Sequence, residues 1–142
     1  MKSVREVMTS EISSCTADDH LFDAATLMKE RNVGALPVVG SNQELLGMVT
    51  DRDLVIRGYA NKKPGSTPIQ EVMSDKLYHV MPDATLQEAS EVMADHQVRR
   101  LPVVEQGKLV GILSLGDLSL DDMSDQAAGK ALEEISERPE LH

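Results

Sequence analysis

The stretches LPVVGSNQELLGMVTDRDL (36–54) and LPVVEQGKLVGILSLGDL (101–118) carry one pattern twice. In each, an apolar run beginning Leu-Pro-Val-Val leads through a turn-forming stretch to a second apolar run. A hydroxyl residue then stands three places before an aspartate: Thr50 before Asp53, Ser114 before Asp117. Short runs rich in Val and Leu, bounded by Gly, Ser, Asn and Gln, read as strands. Each copy therefore closes with a strand pair running into a helix start.

The repeat extends outward from this pattern. Residues 4–39 laid over residues 69–104, at a constant offset of 65, give 12 identities in 36 positions; unrelated sequences would give about two or three. The identities include Val7/Val72, Met8/Met73, Leu21/Leu86, Ala24/Ala89 and Met28/Met93. One residue is lost in the turn, and at offset 64 Gly47 meets Gly111, Asp53 meets Asp117 and Thr50 faces Ser114. Residues 1–60 and 69–120 are read as two repeats, 61–68 as a breaker-rich linker and 121–142 as an acidic tail.

Each copy predicts the order β-α-β-β-α. A short helix or turn at Val4–Met8 (Ile69–Met73) precedes an extended segment near Ile12–Cys15 (Leu77–Val80). A helix follows, with Leu21, Ala24/Ala25 and Met28 on one face, matched by Leu86, Ala89 and Met93. Thr85 and Glu88 have capping-box spacing at the start of the second such helix. One repeat alone is small for a core, so the two sheets and their helices are expected to pack into one globule. Met123, Ala127, Leu132 and Ile135 fall at helical spacing and predict an amphipathic helix in the tail.

Composition narrows the function. The chain has 142 residues, 41% of them apolar, and a formal charge of −10. Such acidity disfavours binding to nucleic-acid phosphates, and only Phe22, Tyr59 and Tyr78 are aromatic, too few for a base-stacking platform. The charge is uneven: residues 117–142 carry −6 and the remaining 116 carry −4. No apolar run approaches a membrane span, no signal-peptide core opens the chain, and Cys15 is the single cysteine. A soluble, cytoplasmic protein without membrane or nucleic-acid partners is expected.

Two features carry possible chemistry. In Thr50-x-x-Asp53 and Ser114-x-x-Asp117, hydroxyl and carboxylate sit where a strand becomes a helix. There the hydroxyl can bond a phosphate or ribose oxygen and the carboxylate can take ribose hydroxyls; equally, the pair can be a helix cap. The second feature is a break in the repeat, Gly34-Ala35 becoming Arg99-Arg100. Paired guanidiniums in an acidic chain suit a fixed anion such as phosphate, or else solvent, Asp95 or Glu91. Arg52 either adds to an anion site or lies exposed. The four histidines share no metal-ligand spacing, so no metal site is expected. No nucleophile elbow, phosphate loop or dinucleotide fingerprint occurs, so no enzyme is expected.

With the repeat, the Leu-Pro-Val-Val strands and the Gly-h-h-[ST]-x-x-Asp ends in view, residues 1–120 resemble a tandem pair of cystathionine-β-synthase (CBS) domains. The resemblance implies an α+β fold, two β-α-β-β-α repeats packed as a pseudo-twofold pair with two clefts. It implies a non-enzymatic regulatory or sensor module with no obligatory cofactor, whose ligand contains adenosine: AMP, ADP or ATP, or else S-adenosylmethionine or a dinucleotide. It also implies a homodimer; because these residues contain no channel, kinase or dehydrogenase segment to regulate in cis, any effect is expected in trans on a protein partner. A ligand-free homodimeric scaffold is the alternative. By position, Asp53 and Asp117 match the family's ribose-binding aspartates, Thr50 and Ser114 its hydroxyl residues, and Arg99 and Arg100 its phosphate-reaching bases. Adenine falls to Ile12–Cys15 and Tyr78–Val80, which brings in Tyr78 and His79. Copy one, with Gly34-Ala35, lacks its own basic pair, leaving open whether one nucleotide binds or two.

Overall fold

The computed structural model describes residues 2–75 and 78–119. The first half contains α1 (Val4–Val7), β1 (Cys15–Thr16), α2 (Leu21–Arg31), β2 (Ala35–Val39), β3 (Leu45–Thr50) and α3 (Asp51–Asp53). The second half contains α4 (Leu86–His96), β4 (Arg100–Glu105), β5 (Lys108–Ser114) and α5 (Leu115–Ser119). Beyond α3 the helical path continues as a π turn, Leu54–Gly58, then a 3-10 turn, Tyr59–Asn61; a further 3-10 turn spans Ile69–Glu71. The tail helix expected around Met123–Ile135 lies outside the described residues.

The hairpins repeat as the sequence does, giving a mixed α+β architecture, but the opening strands are shorter than expected: Cys15–Thr16 in the first copy and a single bridge at Val80 in the second, with Leu77 outside the described residues. In the first copy β1 runs parallel to β2, with Cys15 opposite Val38, and β2 pairs antiparallel with β3, with Ala35 opposite Thr50. In the second, Val80 makes a parallel bridge to Val103, and β4 pairs antiparallel with β5, with Arg100 opposite Ser114. Even the register shift recurs, at Val38/Val39 and at Val103/Val104. The deleted residue lies in the hairpin: Glu105 pairs with Lys108 across Gln106-Gly107, whereas the Gly40 N–H reaches the Glu44 carbonyl across a longer turn.

The long helices are capped as their sequences require. The Thr85 hydroxyl accepts from the Glu88 N–H at 3.1 Å, and the His20 N–H donates to Asp23 Oδ2 at 2.9 Å. Both helices end on a left-handed residue, Asn32 (φ 54°) and Gln97 (φ 57°). The predicted faces hold with one correction: Ala24 is buried and Ala25 is exposed, so the helix is packed on the Leu21–Ala24–Met28 side and Ala25 lies at its open border.

The chain divides into two compact units whose borders are not those of the repeats. A contiguous unit spans residues 13–75, and a two-segment unit joins 2–12 to 78–119. The opening segment of each repeat is thus built into the body of the other. In the two-segment unit the Val4 N–H bonds the Ala84 carbonyl at 2.9 Å, and Thr9 and Ile112 exchange both main-chain bonds at 2.9 and 3.0 Å. In the contiguous unit Ser74 and Met48 make the same exchange at 2.8 and 2.9 Å. The repeated glycines explain the fit. A Cβ on Gly47 would collide with the Ser74 carbonyl, and one on Gly111 would press on the Met8 side chain.

Each unit has its own apolar core. In the contiguous unit Ile69 and Val72 join Leu21, Ala24, Leu36 and Val49. In the two-segment unit Val4 joins Leu86, Met93, Leu101, Leu113 and Leu118. Each such aliphatic side chain contributes roughly 1.5–3 kcal/mol on burial, so the imported segments are structural parts of the units that receive them. Met28 and Met93 are buried, while Met8 and Met73 are half-buried against the same cores.

Candidate functional site

In both units the second strand of the pair ends at a hydroxyl residue and the chain turns at once into helix. The Thr50 N–H donates to Asp53 Oδ2 at 2.9 Å, and the Asp53 N–H returns a bond to Thr50 Oγ1 at 3.0 Å. The Ser114 N–H donates to Asp117 Oδ2 at 2.8 Å, and the Asp117 N–H to Ser114 Oγ at 3.1 Å. Both are complete reciprocal caps, worth about 1 kcal/mol each. Capping occupies only part of each group. An ionised carboxylate has acceptor sites on both oxygens, and a hydroxyl that accepts still has its own proton to donate. One O–H of each hydroxyl residue and the second oxygen of Asp117 therefore remain for another partner, on half-buried side chains, while the second oxygen of Asp53 faces an arginine of its own helical path.

The adjoining strand brings the second feature to the same corner. Arg100 lies directly opposite Ser114 in the β4–β5 ladder, and the Arg99 carbonyl accepts from the Leu115 N–H at 2.8 Å. Arg99 is exposed and Arg100 half-buried, and among the described residues neither guanidinium has an ion-pair partner. The parallel bridge of Val80 to Val103 directs the preceding Tyr78 and His79 towards this same end of the strands. The exposed His79 is placed there by backbone alone. Tyr78 is more constrained: its ring stacks on that of His96 at the end of α4, with centroids 4.7 Å apart. Tyr78, His79, Arg99, Arg100, Ser114 and Asp117 thus share one end of the two-segment unit.

The corner of the contiguous unit is built alike and charged differently. Ala35 lies opposite Thr50, and the Gly34 carbonyl accepts from the Asp51 N–H at 2.9 Å, as Arg99 does from Leu115. Asp51 lies close against Gly34: a Cβ placed there would be 3.2 Å from Asp51 Oδ2. Arg52 is exposed on the first helical turn. Two residues at this corner escaped the sequence reading. Arg57 brings Nε to 3.9 Å from Asp53 Oδ1 and donates Nη1 to the Val72 and Met73 carbonyls at 3.4 and 3.3 Å. Its spacing of four from Asp53 was the available signal. Asp51 was hidden because its counterpart, Leu115, is apolar.

Cys15 is 2% exposed in β1. Burial, followed by the charges of Asp19 and Asp23, pushes its thiol up to about 11 from 9.0, so it is not a thiolate near neutrality. Among the described residues no cluster of three or more His, Cys, Asp or Glu side chains is arranged to hold a metal. Nor is any helix there long and apolar enough to cross a membrane.

A duplicated α+β unit, with a hydroxyl–carboxylate corner at each strand-to-helix junction, defines a tandem regulatory-domain architecture. The chain belongs to the CBS domain family, whose model matches residues 4–58 and 69–120. Proteins of this family are generally regulatory and non-catalytic modules. The chain is similar to YlbB of Bacillus subtilis, with 48% identity over 138 residues covering 96% of this chain and 93% of that protein. It is also similar to the crystal structure of hypoxic response protein I with two coordinated zinc ions: TM-score 0.79, 37% identity, 84% of this chain and 98% of the other. CBSX2 in complex with AMP matches at TM-score 0.76 and 27% identity, over 89% of this chain and 99% of the other.

Proposed function

We propose that the protein is a non-catalytic sensor whose strand-to-helix corners bind an adenosine-containing ligand, AMP, ADP or ATP. The observation that carries this reading is the corner of the two-segment unit. There Asp117 keeps an oxygen for ribose hydroxyls, Ser114 keeps an O–H to donate, and Arg99 and Arg100 stand beside them without ion-pair partners among the described residues. Charge-assisted bonds from two guanidiniums suit a phosphate, and a carboxylate suits a pair of hydroxyls. The AMP in the CBSX2 complex supports this choice of ligand class.

Calorimetry of nucleotide-stripped protein with AMP, ADP, ATP and S-adenosylmethionine tests the reading. A phosphorylated adenosine should bind, and Asp117→Ala should weaken it more than Asp53→Ala. Absence of any heat at millimolar ligand overturns the reading. Mass spectrometry of small molecules that co-purify with the native protein would name the physiological ligand.

A further inference from the structure

We infer that the two corners select different ligands: the two-segment unit takes a phosphorylated adenosine, and the contiguous unit takes an adenosine nucleoside without phosphate. This inference rests on the adenosine-binding reading above and adds a division of labour within it. The hydroxyl–carboxylate machinery is the same at both corners, so whatever it recognises is common to both ligands. What differs is the charge around it.

At the two-segment corner the described charged groups are Arg99, Arg100 and Asp117, an excess of positive charge next to Ser114. At the contiguous corner they are Asp51, Arg52, Asp53 and Arg57, which balance. The arrangement matters more than the count. The position just before the strand that presents Arg99 in one unit presents Gly34 in the other, and the Asp51 carboxylate lies beside it, its Oδ2 3.2 Å from where a Cβ on Gly34 would stand. Arg57 does not compensate, since its Nη1 is directed to the Val72 and Met73 carbonyls and its Nε faces Asp53. Arg52 is flanked by two acids, and its N–H is held by Asp51 Oδ1 at 2.8 Å. A phosphate entering there meets a carboxylate instead of a guanidinium pair. Like charges at close range disfavour it, whereas an uncharged nucleoside loses nothing.

The test is a sequential titration of the stripped, full-length protein. AMP should fill one site per chain, and adenosine added to the AMP-saturated protein should fill a second. Asp117→Ala should abolish the AMP step and Asp53→Ala the adenosine step. Gly34→Arg/Ala35→Arg/Asp51→Leu gives the contiguous corner the residues of the other one. It should raise AMP affinity there by at least about tenfold, the usual worth of charge-assisted phosphate contacts. Two AMP molecules per chain of similar affinity in the wild type would overturn the inference and leave the adenosine reading standing. So would an AMP-saturated protein with no second site for adenosine. If neither compound binds at all, the reading falls and this inference with it.

Discussion

The contiguous and two-segment units share a ladder register, a bulge and a capped strand end, yet their corners are charged differently, one balanced and the other with an excess of positive charge among the described residues. Gly34, Ala35 and Asp51 in one stand where Arg99, Arg100 and Leu115 stand in the other. Duplication preserved what the fold needs, the cap and the glycine under the imported segment, and left free what a ligand would read. The lesson is that symmetry of backbone in a tandem repeat does not carry symmetry of charge at its corners.

The comparison can be strained first at its structural end. Gly47→Ala should destabilise the protein by about 3 kcal/mol and Gly111→Ala by about 1 kcal/mol in urea melts. The obstacle at Gly47 is a fixed carbonyl, that of Ser74, whereas at Gly111 it is first a flexible methionine side chain. Equal losses would show that the two imported segments are seated equally rigidly.

Next in size is a difference that only the contiguous unit possesses. With its thiol pushed up to about 11, Cys15 should react with iodoacetamide at pH 8 about 100-fold more slowly than an ordinary cysteine. The rate should go on rising with pH through 9 and level near 11, because the thiolate forms only there. Levelling near the ordinary value would show that β1 opens readily. Val80 holds the matching position in the two-segment unit and provides no such probe.

Removing the caps should sharpen the contrast between structure and site. Asp53→Ala and Asp117→Ala should each cost about 1 kcal/mol in thermal or urea melts, since each carboxylate accepts the same bond from the N–H of its hydroxyl partner, while the backbone bond back to that hydroxyl survives. Equal stability losses alongside unequal losses of AMP binding would separate the capping role from the ligand role. The smallest effects belong to surface ion pairs. Arg5→Ala removes the 2.7 Å pair with Glu105 in the two-segment unit, and Lys63→Ala the 3.2 Å pair with Glu71 in the contiguous one. Both pairs are part-exposed, so each change should stay within about 0.5 kcal/mol and shrink in salt.

Much of the candidate site was legible in the sequence. Thr50, Asp53, Ser114 and Asp117 announce themselves by spacing, because a capping residue and its acidic partner must stand three apart. Arg99 and Arg100 announce themselves as a departure from the repeat. Arg57 was less visible. The turn after α3 is π-helical from Leu54 to Gly58, and Arg57 reaches the carbonyls of Val72 and Met73, fifteen and sixteen residues away. Local periodicity does not report contacts of that range. Tyr78 was expected in a strand and instead precedes a single bridge at Val80, and its stacking on His96 depends on where α4 ends in space.

By itself the sequence determined the repeat, the long helices, the paired strands that follow them and the spacing of the capped corners, all consequences of short-range periodicity and of bonds spanning three or four residues. Only the tertiary structure decided which body each opening segment completes. Val4–Met8 and Ile69–Met73 are so alike that either would fit either core by composition. The choice is made by contacts between residues far apart in the chain, Thr9 with Ile112 and Ser74 with Met48. The same long-range placement turned a break in the repeat into one corner with an excess of positive charge and one in which the described charges balance.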